Sequence, residues 1–214
     1  DLIAIISRKS SRSSSKGYTG GIYHVDSNGS VQKDRKSMET GQIKLIKEQE
    51  MVCMNSILGG GKIQGIKLKL PFFYEEQYYI KSTMEQMYED GLADKEGQLT
   101  VAGKIYARVL KDYKNSSTHI YMRNLRIGLL KDRQLCTFIA ITDDGYYMQY
   151  IERESILSLL ADGYAEQEEN DWKEDLEIKK YQKGDLVMNH RLRTGIDLME
   201  MKSILGQYLE IDYV

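Results

Sequence analysis

The sequence predicts an α+β protein with a pseudo-repeated core of helices and antiparallel strands. Three observations lead to this prediction. Three segments of strand type, separated by the turn residues "KDR" and "DDG", lie between residues 118 and 152. Amphipathic segments of helical period lie before and after that region. A pattern of apolar strand, acidic Asp/Gly turn and more polar strand occurs twice, as "GIYHVDSNGSVQK" at residues 21–33 and as "FIAITDDGYYMQY" at residues 138–150.

The composition is that of a globular protein that can bury a sizeable core. Hydrophobic residues make up 41% and charged residues 29% of the 214 residues, and the net charge is -2. Because there is no basic excess, we expect no nucleic-acid partner and no membrane partner. No apolar run approaches the ~20 residues that a membrane span needs, so we expect a cytoplasmic protein. Cys53 and Cys136 are expected to be buried free thiols.

The first 37 residues are predicted to contribute strands. "LIAII" at residues 2–6 is an apolar run of β type. "SRKSSRSSSKG" at residues 7–17 is Ser-rich and basic, and we expect a mobile loop. Strands near residues 20–26 and 30–34 form a predicted hairpin, because "SNG" between them supplies residues that accept a positive φ.

An amphipathic helix is predicted over residues 41–58. Its apolar stripe is not clean, because Glu50 falls between Ile46 and Met54 at helical spacing. The glycines at 59–61 end the helix. Residues 62–70 alternate in polarity and predict a strand closed by Pro71.

Two further helices are joined by the turn inside the segment "YEDGLADKEGQLTVAGKIYARVL". The first covers residues 72–90 and ends at Gly91, and the second begins at Thr100 as N-cap and continues to residue 113. The predicted apolar face of the first helix consists of Tyr79, Ile80, Met84, Met87 and Tyr88. That of the second consists of Ile105, Val109 and Leu110.

The remainder of the chain predicts a meander, a short helix, a strand pair and a final helix. Three strands, "THIYMRNLRIGLL", "QLCTFIAITD" and "GYYMQYIE", are joined by turns at "KDR" and "DDG". A short helix covers residues 153–163, and an acidic loop follows. A strand pair surrounds "KGD" at residues 183–185. The final helix, residues 196–209, directs Ile196, Met199, Leu205 and Leu209 inward.

The internal repeat suggests three parts of the chain. Residues 38–163 form the first α/β half, residues 1–37 the strand and hairpin of the second half, and residues 164–214 its linker and helical part. If residue 214 ran on into residue 1, the second half would repeat the helix, strand and hairpin order of the first. We therefore predict that the order is permuted relative to an ancestral one.

The motifs of common enzymes are absent, so we predict a protein without catalytic residues, metal or cofactor. "LGGGKIQG" contains glycines and a lysine, but its glycines end a helix, whereas a phosphate site needs amides at a helix start. His24, His119 and His190 lack metal-ligand spacing with one another and with the cysteines. The serines at residues 10–15 lie in the predicted mobile loop, which is a poor place to position a nucleophile.

A winged-helix DNA-binding regulator is one alternative. The "GL", turn and "LT..G" pattern is typical of that motif, and the helix that follows it carries four cations, Lys104, Arg108, Lys111 and Lys114. However, the preceding helix carries five acidic residues, Glu75, Glu76, Glu85, Glu89 and Asp90, which would repel phosphates.

A resemblance to a known family is carried by four segments. "MYEDGLADKEGQLTVAGKIYARVL", "HIYMRNLRIGLL", "QLCTFIAITDDGYYMQYIE" and "SILSLLADG" resemble, in pattern and order, the EspG-type chaperones of type VII (ESX) secretion and the related EspG-like adaptors. "LIAIIS" with "GGIYHVDSNGSV" resembles the closing strands of that family. The resemblance implies a pseudo-twofold pair of α/β halves that share a central antiparallel sheet flanked by helices.

The resemblance also implies a function, namely a cytosolic adaptor that binds a helical-hairpin secreted protein or toxin and keeps it soluble for export. An immunity protein that neutralises a secreted toxin is a second alternative. Tyr146, Met148 and Tyr150 share one strand face and Tyr147 lies on the other, and the sequence does not say which face is core. The partner-binding residues that we predict are Arg8, Arg12, Tyr18, Arg126, Tyr147 and Tyr150.

Overall fold

A computed structural model gives the fold of a large part of the chain. It describes residues 23–25, 31–33, 44–69, 76–131, 134–156, 159, 176–192 and 198–209. The predicted strand at 2–6, the basic loop at 7–17 and the acidic linker after residue 163 lie outside these residues. The division into three parts and the permuted order remain predictions.

The centre of the fold is an antiparallel sheet of seven strands in the order β3-β7-β6-β5-β4-β8-β9. The strands are β3 (Leu45–Ile46), β4 (Thr118–Met122), β5 (Leu125–Leu129), β6 (Leu135–Thr142), β7 (Gly145–Glu152), β8 (Leu176–Gln182) and β9 (Asp185–Leu192). The predicted hairpin near the start of the chain is confirmed as a separate two-stranded sheet of β1 (Tyr23–Val25) and β2 (Val31–Lys33). Helices accompany the seven-stranded sheet, so the α+β class is confirmed.

Three helices lie on one face of this sheet, which we call the helical face. They are α1 (Glu48–Ile57), α2 (Glu76–Glu89) and α3 (Val101–Asn115). α3 contacts β5, β6 and β7, α1 contacts β7, and α2 packs against α1. The Thr100 hydroxyl caps α3 by accepting a hydrogen bond of 3.1 Å from the Gly103 amide, as the sequence predicts. A Cβ at Gly103 would lie 2.0 Å from the Leu92 carbonyl oxygen, so glycine permits this close approach.

The opposite face carries α4 (Leu198–Leu209), and we call it the α4 face. Leu205 and Leu209 are fully buried in one cluster with strand residues such as Ile120 and Phe138. The helical turn at residues 153–156 adds Ile156 to this cluster. The buried guanidinium of Arg153 donates to the Leu209 carbonyl at 2.9 Å, which fixes the end of α4 to the sheet.

The helix predicted over residues 41–58 is wrong at its beginning. Residues 45 and 46 form β3 and pair with Tyr147 and Tyr146 of β7. The helix begins only at Glu48, where the Lys47 amide donates to the Glu50 carboxylate at 2.8 Å. The predicted end is confirmed, because all three glycines at 59–61 have positive φ.

The strand predicted over residues 62–70 is also wrong for the described residues 62–69. Ile63 and Ile66 form one isolated bridge around a tight turn, and both side chains are buried. Gly65 in that turn has φ +72°, and a Cβ there would lie 2.9 Å from the Tyr121 ring. The alternation of polarity therefore reflects a turn that packs on the sheet.

The first strand of the predicted meander is two strands. β4 and β5 are joined at Arg123 and Asn124, and Arg123 has φ +52°. The Asn124 side chain donates to the Ile141 carbonyl at 2.9 Å, which holds the turn against the next hairpin. A turn of this kind without glycine or proline gives a weak signal in a sequence.

The remaining sequence predictions have mixed outcomes. The hairpins at "DDG" and "KGD" are confirmed. Both cysteines are free, as predicted, but only Cys136 is buried, and the prediction that Cys53 is buried is wrong because it is partly exposed. In α2, Ile80 and Tyr88 are about half exposed, so the predicted apolar face is wrong at these two positions. In α4, Met199 is 75% exposed and points outward instead of inward, and Ile196 lies outside the described residues.

A buried carboxyl group lies where α1, α2 and β3 meet. Glu50 is fully buried, and its Oε1 atom has no hydrogen-bond partner among the described residues. Burial raises the pKa of Glu50 to about 7, and the neighbouring Asp90 carboxylate adds to this effect. Burial would also raise the pKa of Asp90, but hydrogen bonds from Lys47 and Lys44 outweigh burial and hold that pKa below its usual value. Asp90 is therefore the charged member of the pair, and Glu50 retains its proton to a higher pH, up to about 7.

We expect Glu50→Gln to stabilise the protein at pH 8 and to have little effect at pH 5. The pKa of Glu50 lies above its usual 4.5, so the folded protein retains a proton that the unfolded chain releases, and stability falls as the pH rises from 4.5 towards 7. Glutamine keeps the acceptor for the Lys47 amide and carries no charge. The free energy of unfolding, from urea titrations, should rise by about 2 kcal/mol at pH 8.

Glu85→Gln, at an exposed position of α2, is the matched control and should leave the pH dependence unchanged. Equal pH slopes for wild type and Glu50→Gln between pH 5 and pH 8 would contradict the proton on Glu50.

Candidate protein-binding surface

The hairpin of β8 and β9 extends the sheet to its last strand. β9 pairs with β8 on one side, and no other strand of the described residues pairs with its second side. An edge strand of this kind presents unpaired N–H and C=O groups that another chain can bind. We define the β8–β9 surface as Lys179, Leu186, Val187, Asn189 and Arg191.

Two large apolar side chains are exposed at the tip of this hairpin. Leu186 is 51% and Val187 is 58% exposed, and they are adjacent in β9. The register shifts at this point, because Lys180 pairs with Met188 and Tyr181 with Leu186, so Val187 is the extra residue of a β-bulge. Two large apolar side chains that remain exposed on an edge strand are typical of a contact site.

Charged residues lie behind the tip on the same face as the helices. Glu177 pairs with Arg191 across the two strands, and Lys179 pairs with Asn189, so these four side chains share one face. The Glu177 carboxylate binds both the Lys179 ammonium and the Arg191 guanidinium. The hydrogen bond from Lys179, more than the one from Arg191, holds the pKa of Glu177 below its usual value. Within the described residues, two cations therefore contact this one carboxylate.

An aromatic cluster lies between this charged face and α3. The His119 ring contacts Tyr113 edge-on at 4.7 Å and Tyr181 at 5.4 Å between ring centroids. The Tyr121 hydroxyl lies 3.3 Å from the Tyr181 hydroxyl. The Lys179 ammonium lies 4.9 Å above the Tyr121 ring, which joins the cluster to the β8–β9 surface.

His119 is held neutral inside this cluster. Burial lowers the pKa of His119 to about 4, against the opposing effect of the hydrogen bond to Ser116. At neutral pH its Nε2–H therefore donates to the Ser116 carbonyl oxygen, 2.8 Å away. The folded pKa lies below the usual 6.5, so His119 removes stability as the pH falls from 6.5 towards 4. Its ring packs between the sheet and α3 as part of this cluster.

Arg126 is one of the predicted partner-binding residues, and it lies at the border of the aromatic cluster. Its guanidinium lies 5.2 Å above the Tyr121 ring. It donates to the Gly65 carbonyl at 2.8 Å and to the Arg123 and Leu125 carbonyls at 2.6 and 2.8 Å. Arg126 thus fastens the turn at residues 63–66 to the sheet.

The other predicted contact residues lie in different places. Tyr147 is half-buried against the apolar cluster of the α4 face. The prediction that Tyr150 is a partner-binding residue is wrong, because Tyr150 is only 4% exposed on the helical face. Its hydroxyl donates a hydrogen bond of 2.7 Å to the Asp112 carboxylate. Arg8, Arg12 and Tyr18 lie outside the described residues. The structure therefore does not join the six residues into one surface.

Sequence reasoning missed Leu186 and Val187. "GDLVMNHR" predicts a strand, and apolar residues in a strand are normally assigned to the core. The available signal was the adjacency of leucine and valine directly after a turn, since a strand with one buried face alternates in polarity.

The described residues also limit the chemistry of the surface. Within these ranges, no group of three or more His, Cys, Asp or Glu side chains is arranged to hold a metal ion. No helix among them is long and apolar enough to cross a bilayer. The absence of catalysis stays a prediction.

We expect Arg126→Gln to release the turn at residues 63–66. The substitution removes charge-assisted hydrogen bonds to main-chain oxygens, which together stabilise the fold by about 1–2 kcal/mol. The Ile66 amide donates to the Ile63 carbonyl inside the turn, and its hydrogen exchange should become faster. Lys111→Gln, at an exposed position of α3, is the control. Unchanged exchange of Ile66 in Arg126→Gln would show that Arg126 does not hold the turn.

Comparison with known proteins places the chain in a family. Comparison with curated proteins gave no match. A family model described as "Domain of unknown function (DUF5081)" matches residues 41–203, which is more than half of the chain. The matched range runs from the segment before β3 into α4 and includes the whole seven-stranded sheet. The chain therefore belongs to the DUF5081 family.

Proposed function

We propose that this chain is a cytosolic chaperone or adaptor that binds a helical protein exported by a type VII secretion system and keeps it soluble and export-competent. The proposal joins the resemblance to the EspG-type chaperones with the β8–β9 surface. In this proposal the protein performs no reaction, and its function is to cover an apolar part of its partner until export.

The exposed tip of the β8–β9 hairpin is the observation that carries the proposal. Leu186 and Val187 each expose about half of their surface on an edge strand. An amphipathic helix offers an apolar stripe with i, i+3 and i+4 spacing, and such a stripe can cover both side chains. Burial of this kind is worth ~25 cal/mol per Å² of apolar area, so a few large side chains supply a substantial part of a binding energy.

Charged groups lie further along the same hairpin. Lys179 and Arg191 both contact the Glu177 carboxylate, on the part of β8 and β9 that leads away from the apolar tip. A helix with charged residues beside its apolar stripe can pair with these groups. Such pairs at the rim increase association rate and specificity more than affinity.

The proposal also includes a pseudo-twofold architecture of two α/β halves. The hairpin of β1 and β2 and the hairpin of β6 and β7 have the same antiparallel form, which agrees with the repeat in the sequence. We propose that these hairpins belong to two related α/β halves with a pseudo-twofold relationship, as in the EspG-type chaperones.

The winged-helix alternative gains no support from the position of α3. Val109, Leu110 and Tyr113 of this helix are buried with residues of the sheet. The ammonium group of Lys114 donates to Asn55 and to the Gly60 carbonyl, at 2.7 and 2.6 Å. Lys104 and Lys111 of α3 are exposed, but a winged helix presents its basic face from a compact helix-turn-helix, whereas α3 contacts strands of a seven-stranded sheet.

The proposal predicts that Leu186→Asp combined with Val187→Asp prevents partner binding without unfolding the protein. Both positions are about half exposed, so the free energy of unfolding should change by less than ~0.5 kcal/mol per site. The affinity-tagged full chain, purified from its native host, should retain a long α-helical protein identified by mass spectrometry. Recovery of this protein should fall at least roughly tenfold in the double variant, because two charges replace the apolar contact.

Val101→Asp is the matched control. Val101 is 74% exposed at the start of α3, away from the hairpin, and a carboxylate is tolerated at a helix N-terminus. Equal recovery of the helical partner with the double variant would contradict the proposed surface. A toxin domain whose activity is blocked by the chain would instead support the immunity alternative and overturn the chaperone proposal.

A further inference from the structure

One cluster of charged groups holds the junction of β3, α1 and the end of α2, at the opposite edge of the sheet from β9. β3 has only two residues, and Lys44 and Lys47 lie directly before and after it. Both ammonium groups bind the Asp90 carboxylate, each at 3.2 Å, and the Lys44 ammonium also donates to the Asp90 carbonyl. The attachment of β3 to the end of α2 therefore depends on Asp90. An inference about this junction does not rest on the proposed function.

Glu50 joins this cluster from the first turn of α1. The Lys47 amide donates to its Oε2 atom at 2.8 Å, and its Oε1 atom is buried without a hydrogen-bond partner among the described residues. With a proton, Oε1 becomes a donor, and the neighbouring Asp90 carboxylate is an acceptor. Without that proton, two carboxylates face each other while Glu50 is fully buried, and both burial and like charge make this arrangement unfavourable.

The other titratable groups around the junction come from all the elements that meet there. They are Glu48 and Cys53 of α1, Tyr79 of α2, Tyr106 of α3 and Tyr146 of β7. Burial raises the pKa of the Cys53 thiol and of the three tyrosines, so these four groups stay neutral between pH 5.5 and pH 8. Glu48 accepts a hydrogen bond of 2.6 Å from the Lys69 amide. Lys44 is the cation whose charge favours an ionised Glu50, and it already binds Asp90.

We propose that loss of the proton from Glu50 opens this junction and detaches β3 and the first turn of α1 from β7 and from the end of α2. The closed form buries Glu50 with its proton, and the open form returns the carboxylate to water. The pKa of Glu50 in the closed form, about 7, lies above its usual 4.5, so the closed form loses stability as the pH rises from 4.5 towards 7. Opening uncovers the side of β7 that pairs with β3 at Tyr146 and Tyr147.

Hydrogen exchange of the full chain at pH 5.5 and pH 8 tests this proposal, with each rate divided by the intrinsic rate at the same pH. Two amides report on the junction: the Met51 amide donates to the Lys47 carbonyl at 3.0 Å, and the Asp90 amide donates to the Gln86 carbonyl at 2.9 Å. We expect the protection of both to fall roughly thirtyfold from pH 5.5 to pH 8, because the pKa of Glu50 is about 7 in the closed form and 4.5 in the open form.

The Ile141 amide, which donates to the Asn124 carbonyl at 2.9 Å in the middle of the sheet, reports on complete unfolding. At pH 8 the two junction amides should be at least roughly tenfold less protected than Ile141, because the junction opens while the sheet stays folded. Equal protection of all three amides would overturn the proposal, because Glu50 would then reach water only by complete unfolding.

Glu50→Gln should remove the pH dependence at Met51 and Asp90, because glutamine keeps the acceptor for the Lys47 amide and has no proton to lose in this range. Asp90→Asn, the second variant, removes the neighbouring negative charge, so its change with pH should be smaller than in the wild type. Glu89→Gln removes an exposed carboxylate beside Asp90 and is the matched control, which should behave like the wild type. Junction protection that does not change with pH in the wild type, or a pH dependence that persists in Glu50→Gln, would overturn the proposal.

Discussion

Burial of the central strands on both faces is the constraint on which the rest of the structure depends. Every residue of β4 is buried, and so are the first six residues of β6. A strand that is buried on both faces needs an apolar layer above and below it. The helices α1, α2 and α3 provide one layer and α4 provides part of the other, so the fold has three layers around the middle of the sheet.

Within the described residues, the sheet is wider than its covering layers, and the β8–β9 hairpin extends beyond them. β8 still buries Leu176 and Ile178, whereas β9 is mostly exposed along its length. The charged groups around Glu177 are well solvated on this part of the sheet. Exposure of the apolar tip to water is unfavourable. Contact with another protein would remove this tip from water, which is why we connect the surface with binding and not with catalysis.

The sequence was sufficient to predict the elements that have strong local signals. It was insufficient where contacts with residues far away in the chain determine the structure. The Thr100 cap, the turn at "KGD" and the end of α1 at its glycines follow from side-chain chemistry within a few residues. The turn at Arg123 has no glycine, so β4 and β5 were predicted as one strand. The tight turn at Gly65 depends on Tyr121 and Arg126, which are about 60 residues away. Burial of Glu50 and exposure of Leu186 likewise depend on which other elements pack against them. The local sequence around these residues does not indicate this packing.

The central claim is that the chain binds a protein through its outermost strand. Hydrogen exchange of the full chain, alone and bound to the partner that co-purifies with it, tests this most directly. The account predicts that amides of residues 186–191 exchange roughly tenfold more slowly in the complex, while those of β5 and β6 in the middle of the sheet do not change. Protection that appears on the exposed side of α1 and α2 and leaves β9 unchanged would contradict it.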